Sequence, residues 1–261
     1  MIQLEMIKKY FPAELRENVA FQKHLLKEYL QLSILDFLSS TQYIGKVTFI
    51  GGTNLRLVKG LDRFSEDIDL DCKDFTEDEF MAMTDDILIF LQRSGIRVEI
   101  RDRKNERLKA FRRNLYFPEL LFDLGLTGHR EERFLIKVEC QDQKVNYERV
   151  MVTIKGCGFF FPFPVPSDGV LCSMKLSAML SRQKGRDFYD SMFLLSLTKP
   201  DYSFLEQKLG IRNLVELKAA TQVMLITVDL SQKKRDFEHL LFNKKRSEII
   251  LSVGEFFKDL K

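Results

Sequence analysis

Residues 47–72 read VTFIGGTNLRLVKGLDRFSEDIDLDC, and this stretch sets the expected fold. Val47–Ile50 is a β-branched and aromatic run that ends at a pair of glycines, which predicts a short strand that enters a tight turn. A helix is expected to start at Asn54. Asp67–Cys72 alternates acidic and apolar side chains, which is typical of a strand with one polar face. The stretch therefore predicts a strand, a turn, a helix and a second strand.

Helical and strand patterns divide the rest of the chain. The first 45 residues predict helix, with Pro12 at a helix start. Thr76 and Glu79 form a capping-box pattern that opens a helix through about Arg93. Further strand structure is expected at residues 96–100, 111–117, 134–140, 151–154 and 159–165, where Pro162, Pro164 and Pro166 should stop the ladder. Amphipathic helices are expected at residues 170–180, 188–195, 214–230 and 247–260.

The change of pattern near Pro166 predicts an α+β protein with two domains. Residues 1–166 would form a mixed-sheet domain with N-terminal helices, and residues 167–261 a C-terminal helical bundle. No apolar run approaches the ~18–20 residues that span a bilayer, and the N-terminus does not resemble a signal peptide. We therefore expect no membrane association. The four cysteines show no metal-binding or disulfide spacing, so we expect buried thiols in a reducing, cytoplasmic location.

Charge is distributed unevenly along the chain, although the net charge is only +3. Residues 61–90 carry eleven acidic and two basic side chains, a net charge of −9. Residues 93–113 carry nine basic and three acidic side chains, and residues 232–246 carry six and two, net charges of +6 and +4. An acidic centre between basic segments indicates an enzyme that holds cations and handles a polyanion, although solvated helix faces would explain either basic segment alone.

Three acidic residues are candidate metal ligands. Asp67 and Asp69 lie two apart on a predicted strand, so both carboxylates point to the same side. Like charges held this close repel each other unless a cation lies between them, and Mg²⁺ suits such a site, with Mn²⁺ as the alternative. Glu139 ends a polar face on a separate predicted strand and could supply a third carboxylate for two-metal phosphoryl-type transfer.

Two other interpretations of the acidic strand fit less well. The spacing resembles an EF-hand loop, but Cys72 occupies the position that needs glycine. A phosphatase of the Asp-x-Asp type would have an apolar strand before Asp67, where this chain has Arg63-Phe64-Ser65-Glu66. An exposed acidic strand would explain the carboxylates but not the Gly-Gly turn upstream.

Two blocks of sequence resemble a known family. Gly51-Gly52-Thr53-Asn54-Leu55-Arg56, followed by Arg63-Phe64-Ser65-Glu66-Asp67-Ile68-Asp69-Leu70, resembles the polymerase-beta-like nucleotidyltransferase superfamily. More narrowly, it is similar to the AbiEii group, the toxin half of AbiE-type and MenAT-type bacterial toxin–antitoxin pairs. Lys175, Ala178 and Arg182, with Arg186-Asp187-Phe188-Tyr189-Asp190, resemble the later motifs of that group.

The resemblance implies a role for each matching residue. Asp67, Asp69 and Glu139 would hold the metal and act in catalysis, although the group has Asp at the position of Glu139. Lys175 would grip the triphosphate, and Asp190 would lie near the reaction centre as a base or an orienting group. Asp187 is the alternative for that role, or it could cap or pair locally. The nucleotide would be bound, besides Lys175, by Gly51, Gly52, Thr53, Arg56 and Ser65.

The resemblance also implies a function and partners. We expect a metal-dependent enzyme that transfers a nucleoside monophosphate from an NTP to the 3′ end of tRNA, with a cognate antitoxin as partner. The basic segments 93–113 and 232–246 are hypothesised to bind the RNA backbone. Two alternatives stay open: a nucleotidyltransferase that modifies a protein or a small molecule, and an inactive module that binds nucleotide or a partner.

Overall fold

The chain forms two compact units in a computed structural model that describes residues 2–102 and 110–261. Unit 1 comprises Met1–Gly60, Phe64–Lys144 and Met151–Val165, and unit 2 comprises Leu61–Arg63, Val145–Val150 and Pro166–Lys261. The main division falls between Val165 and Pro166. Two short segments upstream of it also belong to unit 2, which no sequence pattern indicated.

The helices and strands of the N-terminal two thirds include every element expected around the acidic strand. Helices α1–α6 are Leu4–Lys8, Ala13–Arg16, Gln22–Ser39, Gly51–Leu57, Glu77–Arg93 and Leu120–Asp123. Strands β1–β7 are Val47–Ile50, Asp67–Cys72, Glu99–Ile100, Phe111–Tyr116, Leu135–Cys140, Arg149–Gly156 and Phe159–Pro166. The predicted bounds of β1 and β2 are confirmed, as is the capping box of Thr76 and Glu79 that opens α5. Helix α4 begins three residues earlier than expected, at the first glycine.

Five strands form a mixed sheet in the order β1-β2-β5-β4-β3. Strand β2 pairs antiparallel with β1 and parallel with β5, and β4 pairs antiparallel with both β5 and β3. The predicted α+β fold with a mixed sheet is therefore confirmed. Parallel pairing of β2 with β5 requires a long crossover, and α5 with the β3–β4 hairpin occupies it.

The two faces of this sheet differ in polarity because side chains alternate along each strand. Ile68, Leu70 and Val138 are buried on one face, where α5 packs against the sheet. A stacked pair, Phe80 of α5 and Phe111 of β4, has ring centroids 5.7 Å apart. The other face, called here the polar face, carries five half-buried polar side chains: Asp67, Asp69, Lys137, Glu139 and Arg112.

Strands β6 and β7 form a separate two-stranded sheet. Within unit 1, Phe163 of β7 packs against Phe49 of β1, with ring centroids 5.9 Å apart. The expectation that the prolines would stop the ladder is wrong, because β7 continues to Pro166. Three prolines at alternate positions are compatible with an edge strand, whose outer N–H groups need no partner.

The C-terminal part of the chain is helical, as expected. Helices α7–α12 are Asp168–Arg182, Gly185–Leu195, Tyr202–Leu209, Leu214–Leu225, Leu230–Phe237 and Val253–Asp259. The prediction of one helix over residues 214–230 is wrong, because Asp229 caps a new helix by accepting a hydrogen bond from the Gln232 N–H. The expected helix at 247–260 is in part a 3-10 segment, Lys244–Ser252. Among the described residues, no helix is long and apolar enough to cross a membrane.

Helices α8 and α11 approach each other closely at Gly185. An ideal Cβ at this buried position would lie 1.9 Å from the backbone carbonyl oxygen of Lys233 and 2.8 Å from the ring of Phe237. A backbone carbonyl cannot move aside as the end of a side chain can. Glycine is therefore required for this packing, independently of its backbone angles.

We predict that Gly185→Ala destabilises the protein by about 1–3 kcal/mol, because the added methyl group overpacks the contact between the two helices. The measurement is the free energy of unfolding from urea denaturation. Gly254→Ala is the matched control, since a Cβ there meets only Leu225 Cδ1 at an ordinary 3.6 Å. This control should be neutral or stabilising by up to about 1 kcal/mol. Equal effects of the two substitutions would contradict the packing argument.

Candidate active site

The Gly-Gly turn lies directly against the second aspartate of β2. Ile50 is paired with Asp69 in the antiparallel register, so the residue after Ile50 reaches the Asp69 side chain. An ideal Cβ at Gly51 would lie 2.0 Å from Asp69 Oδ2, and the φ angle of Gly51 is +81°. Any side chain at this position would be strained and would collide with the carboxylate. The structure thus brings together the two motifs that the sequence analysis singled out.

Two buried side chains attach helix α4 to the strands on either side of it. The Thr53 hydroxyl donates a hydrogen bond to the backbone carbonyl of Asp67, at the start of β2. The Asn54 amide donates to the carbonyl of Phe49 in β1 at 2.7 Å. The hydroxyl of Thr53 is therefore engaged in holding Asp67, and its direct contact with a nucleotide stays a prediction. What the turn presents is backbone, including N–H groups that have no partner within the first turn of a helix.

The residues just before β2 are anchored on α3. His24 stacks on the ring of Phe64 with centroids 4.9 Å apart, and the Gln31 amide donates to the carbonyl of Ser65 at 3.2 Å. These contacts fix the chain where it enters the strand at Asp67. The contact between the Gln31 amide and the Ser65 carbonyl helps to position Asp67. The predicted role of Ser65 in nucleotide binding stays a prediction.

Arg56 forms a bidentate ion pair with Glu28 of α3. Its Nε and Nη2 atoms lie 2.8 and 3.1 Å from the two carboxylate oxygens. Glu28 is buried, so the pair fastens α4 to α3 within unit 1. The guanidinium is engaged in this contact, and its predicted role in nucleotide binding stays a prediction.

Glu139 lies beside Asp69 across the parallel pair of strands, as the register Asp69↔Glu139 requires. It is held by two cations: Arg112 Nη2 lies 2.8 Å from Glu139 Oε1, and Lys137 Nζ lies 3.5 Å from the same atom. Lys137 also contacts Asp67 Oδ2 at 3.0 Å. The three predicted metal ligands therefore share one face of the sheet, with the ammonium of Lys137 between two of them.

The donors of the polar face fit a divalent cation. In residues 2–102 and 110–261, no group of three or more His, Cys, Asp or Glu side chains is close enough together to hold a metal ion. Asp67 and Asp69 nevertheless offer carboxylate oxygens on one face, which is the hard donor type that Mg²⁺ and Mn²⁺ prefer. The Lys137 ammonium, within 3.5 Å of Asp67 and Glu139, marks this face as one that attracts positive charge.

Unit 2 contains a buried cluster built on Asp190. Arg63 binds both carboxylate oxygens of Asp190, with its Nε and Nη2 atoms at 2.8 and 2.6 Å. Lys175 Nζ lies 2.9 Å from Asp190 Oδ2. Arg63 and Asp190 are almost wholly buried, with 1% and 0% of their side chains exposed. Two cations therefore share one carboxylate in a place that water hardly reaches.

The contacts of the cluster favour one of the two roles that the resemblance implies for Asp190, although neither role is tested by the structure. Burial by itself raises the pKa of the carboxyl, but the charges of Arg63 and Lys175 outweigh it and hold the pKa well below its ordinary value. A carboxylate that is so hard to protonate is a poor general base. The arrangement suits an orienting group that holds the ammonium of Lys175.

Asp187 makes local contacts, as the sequence suggested. It accepts two hydrogen bonds from Arg182, at 2.9 and 2.7 Å, and one from the backbone N–H of Lys184 at 3.1 Å. It thus closes the turn between α7 and α8. This leaves Asp190 as the residue that contacts Lys175.

Two residues of these clusters were not singled out from the sequence. Arg63 stands within the quoted motif but received no role, and no local pattern shows that its partner is Asp190. Lys137 did leave a signal. It precedes Glu139 by two residues on an alternating strand, so both side chains had to lie on one face.

The basic segments include arginines and a lysine that pair with acidic residues. Arg113 is buried and contacts Asp85 at 2.9 Å and Asp102 at 3.0 Å. In the second segment, Lys234 pairs with Glu248, and Arg246 pairs with Asp62. Residues 103–109 lie outside the described residues. RNA binding by either segment stays a prediction.

We predict that Asp190→Asn destabilises the protein by about 3–5 kcal/mol near neutral pH, because it leaves two buried cations without their carboxylate. The pKa of Asp190 is lowered in the folded state, so its stabilising contribution is present above the pKa of the unfolded chain, near 4. It is lost as pH falls below that value. The difference in unfolding free energy between wild type and variant should therefore shrink between about pH 4 and pH 2. Urea denaturation across this pH range is the measurement.

The control for this prediction is Glu216→Gln, which removes a carboxylate from an exposed pair with Arg212. An exposed pair is well hydrated, so the denaturation midpoint should change little. A difference between wild type and Asp190→Asn that stays constant from pH 7 to pH 2 would show that the ionised form of Asp190 does not stabilise the fold.

Comparison with known proteins gives one family and two similar folds. A family model described as the nucleotidyl transferase AbiEii toxin of type IV toxin–antitoxin systems matches residues 34–241. The fold is similar to that of MenT4, a nucleotidyltransferase toxin from Mycobacterium tuberculosis, with a TM-score of 0.65 and 16% identity over 100% of this chain and 91% of that chain. It is also similar to JHP933 from Helicobacter pylori, with a TM-score of 0.54 and 21% identity over 90% of each chain.

The two kinds of comparison carry different weight. At these identities the similar structures support the fold alone. A search of curated proteins found no significant match. The family model, by contrast, covers well over half of the 261 residues, including both blocks of sequence that form the clusters described above. The chain therefore belongs to the AbiEii family of nucleotidyltransferase toxins of type IV toxin–antitoxin systems.

Proposed function

We propose that this nucleotidyltransferase uses Mg²⁺ to transfer a nucleoside monophosphate from an NTP to the 3′ end of tRNA. One observation carries the proposal: Asp67 and Asp69 present paired carboxylates on the polar face, with the backbone of Gly51 pressed against Asp69. This arrangement offers cation ligands and phosphate-binding N–H groups next to each other. Mn²⁺ is the alternative metal.

In the proposed reaction, the acceptor hydroxyl oxygen attacks the α-phosphorus of the NTP in line. A bond forms between this oxygen and the α-phosphorus, and the bond from the α-phosphorus to the bridging oxygen of the β-phosphate breaks. Pyrophosphate leaves with the electron pair of that bond, and the proton of the hydroxyl is released to solvent. The chemistry needs positioning and neutralisation of charge more than it needs a covalent intermediate.

The residues of the chain have separate roles in this proposal. Asp67 and Asp69 would hold the cation, which when bound stabilises the negative charge that builds up on the phosphate oxygens. The family resemblance adds Glu139 as a third carboxylate, which would have to move closer to the two aspartates to bind the same ion. Gly51 and Gly52 bind phosphate oxygens through backbone N–H groups. The family resemblance assigns Lys175 to the triphosphate. Its ammonium is held by Asp190 in this structure, so its contact with the triphosphate stays a prediction.

Family membership and the charge of two segments support the proposed partners and acceptor. The family includes the toxins of toxin–antitoxin systems, so we propose an antitoxin partner and a cytoplasmic place of action. Basic segments 93–113 and 232–246 support a nucleic acid acceptor, since a polyanion requires positive charge along its path. The basic segments argue against a small-molecule acceptor but do not distinguish RNA from a protein acceptor. The carboxylates of the polar face argue against an inactive binding module.

Incubation with each α-³²P-labelled NTP, Mg²⁺ and total cellular RNA tests the proposal directly. We expect label in tRNA-sized bands, and removal by a 3′ exonuclease would locate it at the 3′ end. Label in protein would overturn the tRNA acceptor but not nucleotidyl transfer. No label with any NTP, RNA or protein fraction would overturn transfer itself.

We predict that Asp67→Asn and Asp69→Asn each lower the initial rate of labelling at least about 100-fold, because each removes a charged ligand of the proposed cation. The measurement is the rate with saturating NTP. Asp78→Asn is the matched control, since Asp78 is exposed on the first turn of α5. This control should keep the wild-type rate. Full activity of both Asp67→Asn and Asp69→Asn would contradict the assignment of these residues to the active site.

A further inference from the structure

Lys137 holds a position on the polar face that the nucleotidyl transfer described above leaves unused. Its ammonium lies 3.0 Å from Asp67 Oδ2 and 3.5 Å from Glu139 Oε1. The register Asp67↔Lys137 places the two residues side by side on neighbouring parallel strands. Lys137 is half-buried, so water reaches this contact. The lysine thus occupies, with its own positive charge, the space beside a proposed metal ligand.

The charges of the polar face explain why a cation is needed there. Asp67, Asp69 and Glu139 bring three negative charges, and Lys137 and Arg112 bring two positive charges. Arg112 is committed to Glu139 at 2.8 Å, whereas Lys137 is shared between two carboxylates. Without Lys137 the repulsion among the carboxylates would increase, since charges a few ångströms apart interact strongly in a partly buried site.

An ammonium and a divalent cation make opposing demands on Asp67. Mg²⁺ needs carboxylate oxygens at about 2.1 Å, whereas an ammonium donates hydrogen bonds to the same oxygens at about 2.8 Å. A second positive charge so close to the metal would also repel it. Binding of the metal at Asp67 therefore requires Lys137 to move away or to have its charge offset by an anion.

We propose that Lys137 is an internal counter-ion that competes with the divalent cation for Asp67 until a nucleotide arrives. The proposal rests on the proposed function, because it takes Asp67 as a metal ligand. In the nucleotide-free protein, Lys137 neutralises Asp67 and keeps the affinity for divalent cations low. The phosphates of the NTP offer the ammonium a new partner, so metal and nucleotide bind together and each favours the other.

The chemistry of lysine suits such an exchange. Its ammonium is a compact point charge on a flexible four-carbon stem, and it binds phosphate without a fixed geometry. The planar guanidinium of arginine, by contrast, prefers a fixed, bidentate geometry. On this face the arginine, Arg112, stays with Glu139, and the lysine is the cation that reaches Asp67.

Binding of Mn²⁺ to the nucleotide-free protein, measured by EPR of the free ion, tests the proposal without any use of activity. We predict that Lys137→Met binds Mn²⁺ at least about tenfold more tightly than wild type, because it removes a positive charge next to the ligand. A non-hydrolysable NTP analogue should tighten Mn²⁺ binding less in the variant than in wild type. Lys137→Gln, which keeps a polar side chain, should behave in the same way if the methionine variant does not fold.

Two further variants make the result specific. Lys46 lies in the same unit and forms an exposed ion pair with Glu79, away from the polar face. Lys46→Met should therefore leave Mn²⁺ binding unchanged. Adding Asp67→Asn to Lys137→Met should abolish the gain in affinity.

The proposal is overturned if Lys137→Met binds Mn²⁺ no better than wild type or than Lys46→Met. It is also overturned if the gain survives the loss of the Asp67 carboxylate. Nucleotidyl transfer is scored separately, by the labelling of RNA with wild-type protein. Active wild type with unchanged Mn²⁺ binding in the variant would reject the counter-ion alone, whereas absent labelling would reject the proposed function.

Discussion

The antiparallel pairing of β1 with β2 is the constraint on which the active-site arrangement depends. The pair Ile50↔Asp69 brings the next residue, Gly51, against the Asp69 carboxylate. Alternation then places Asp67 on the same face. A register shift of one residue would turn both carboxylates towards the apolar face covered by α5. The buried hydroxyl of Thr53, which holds the carbonyl of Asp67, supports the same register from the helix side.

The ion pairs of the two units differ in their burial. On the polar face of unit 1, half-buried carboxylates and cations share partners, and water can follow any rearrangement. In unit 2, Asp190 is held by Arg63 and Lys175 where almost no water reaches, so removal of one partner leaves an uncompensated charge. The first arrangement allows partners to be exchanged. The second fixes a side chain in one position, which suits an orienting role.

Local sequence patterns predicted the elements whose signals are complete within a few residues. The strands of the 47–72 stretch and the capping box of α5 are examples, because alternation and capping act between near neighbours. Other predictions failed where a local rule has more than one structural outcome. The prolines of β7 do not end the strand, since its outer edge needs no donors. Helix 214–230 breaks before Asp229, whose side chain caps a new helix.

The sequence by itself determined the chemistry offered at the polar face: a glycine turn, two aspartates on one side of a strand, and a glutamate on another. These follow from residue type and from the two-residue period of a strand. Only the tertiary structure decided the partners, because they come from distant parts of the chain. Lys137 beside Asp67 and Arg63 on Asp190, 127 residues away, depend on strand order and helix packing, which no local pattern encodes.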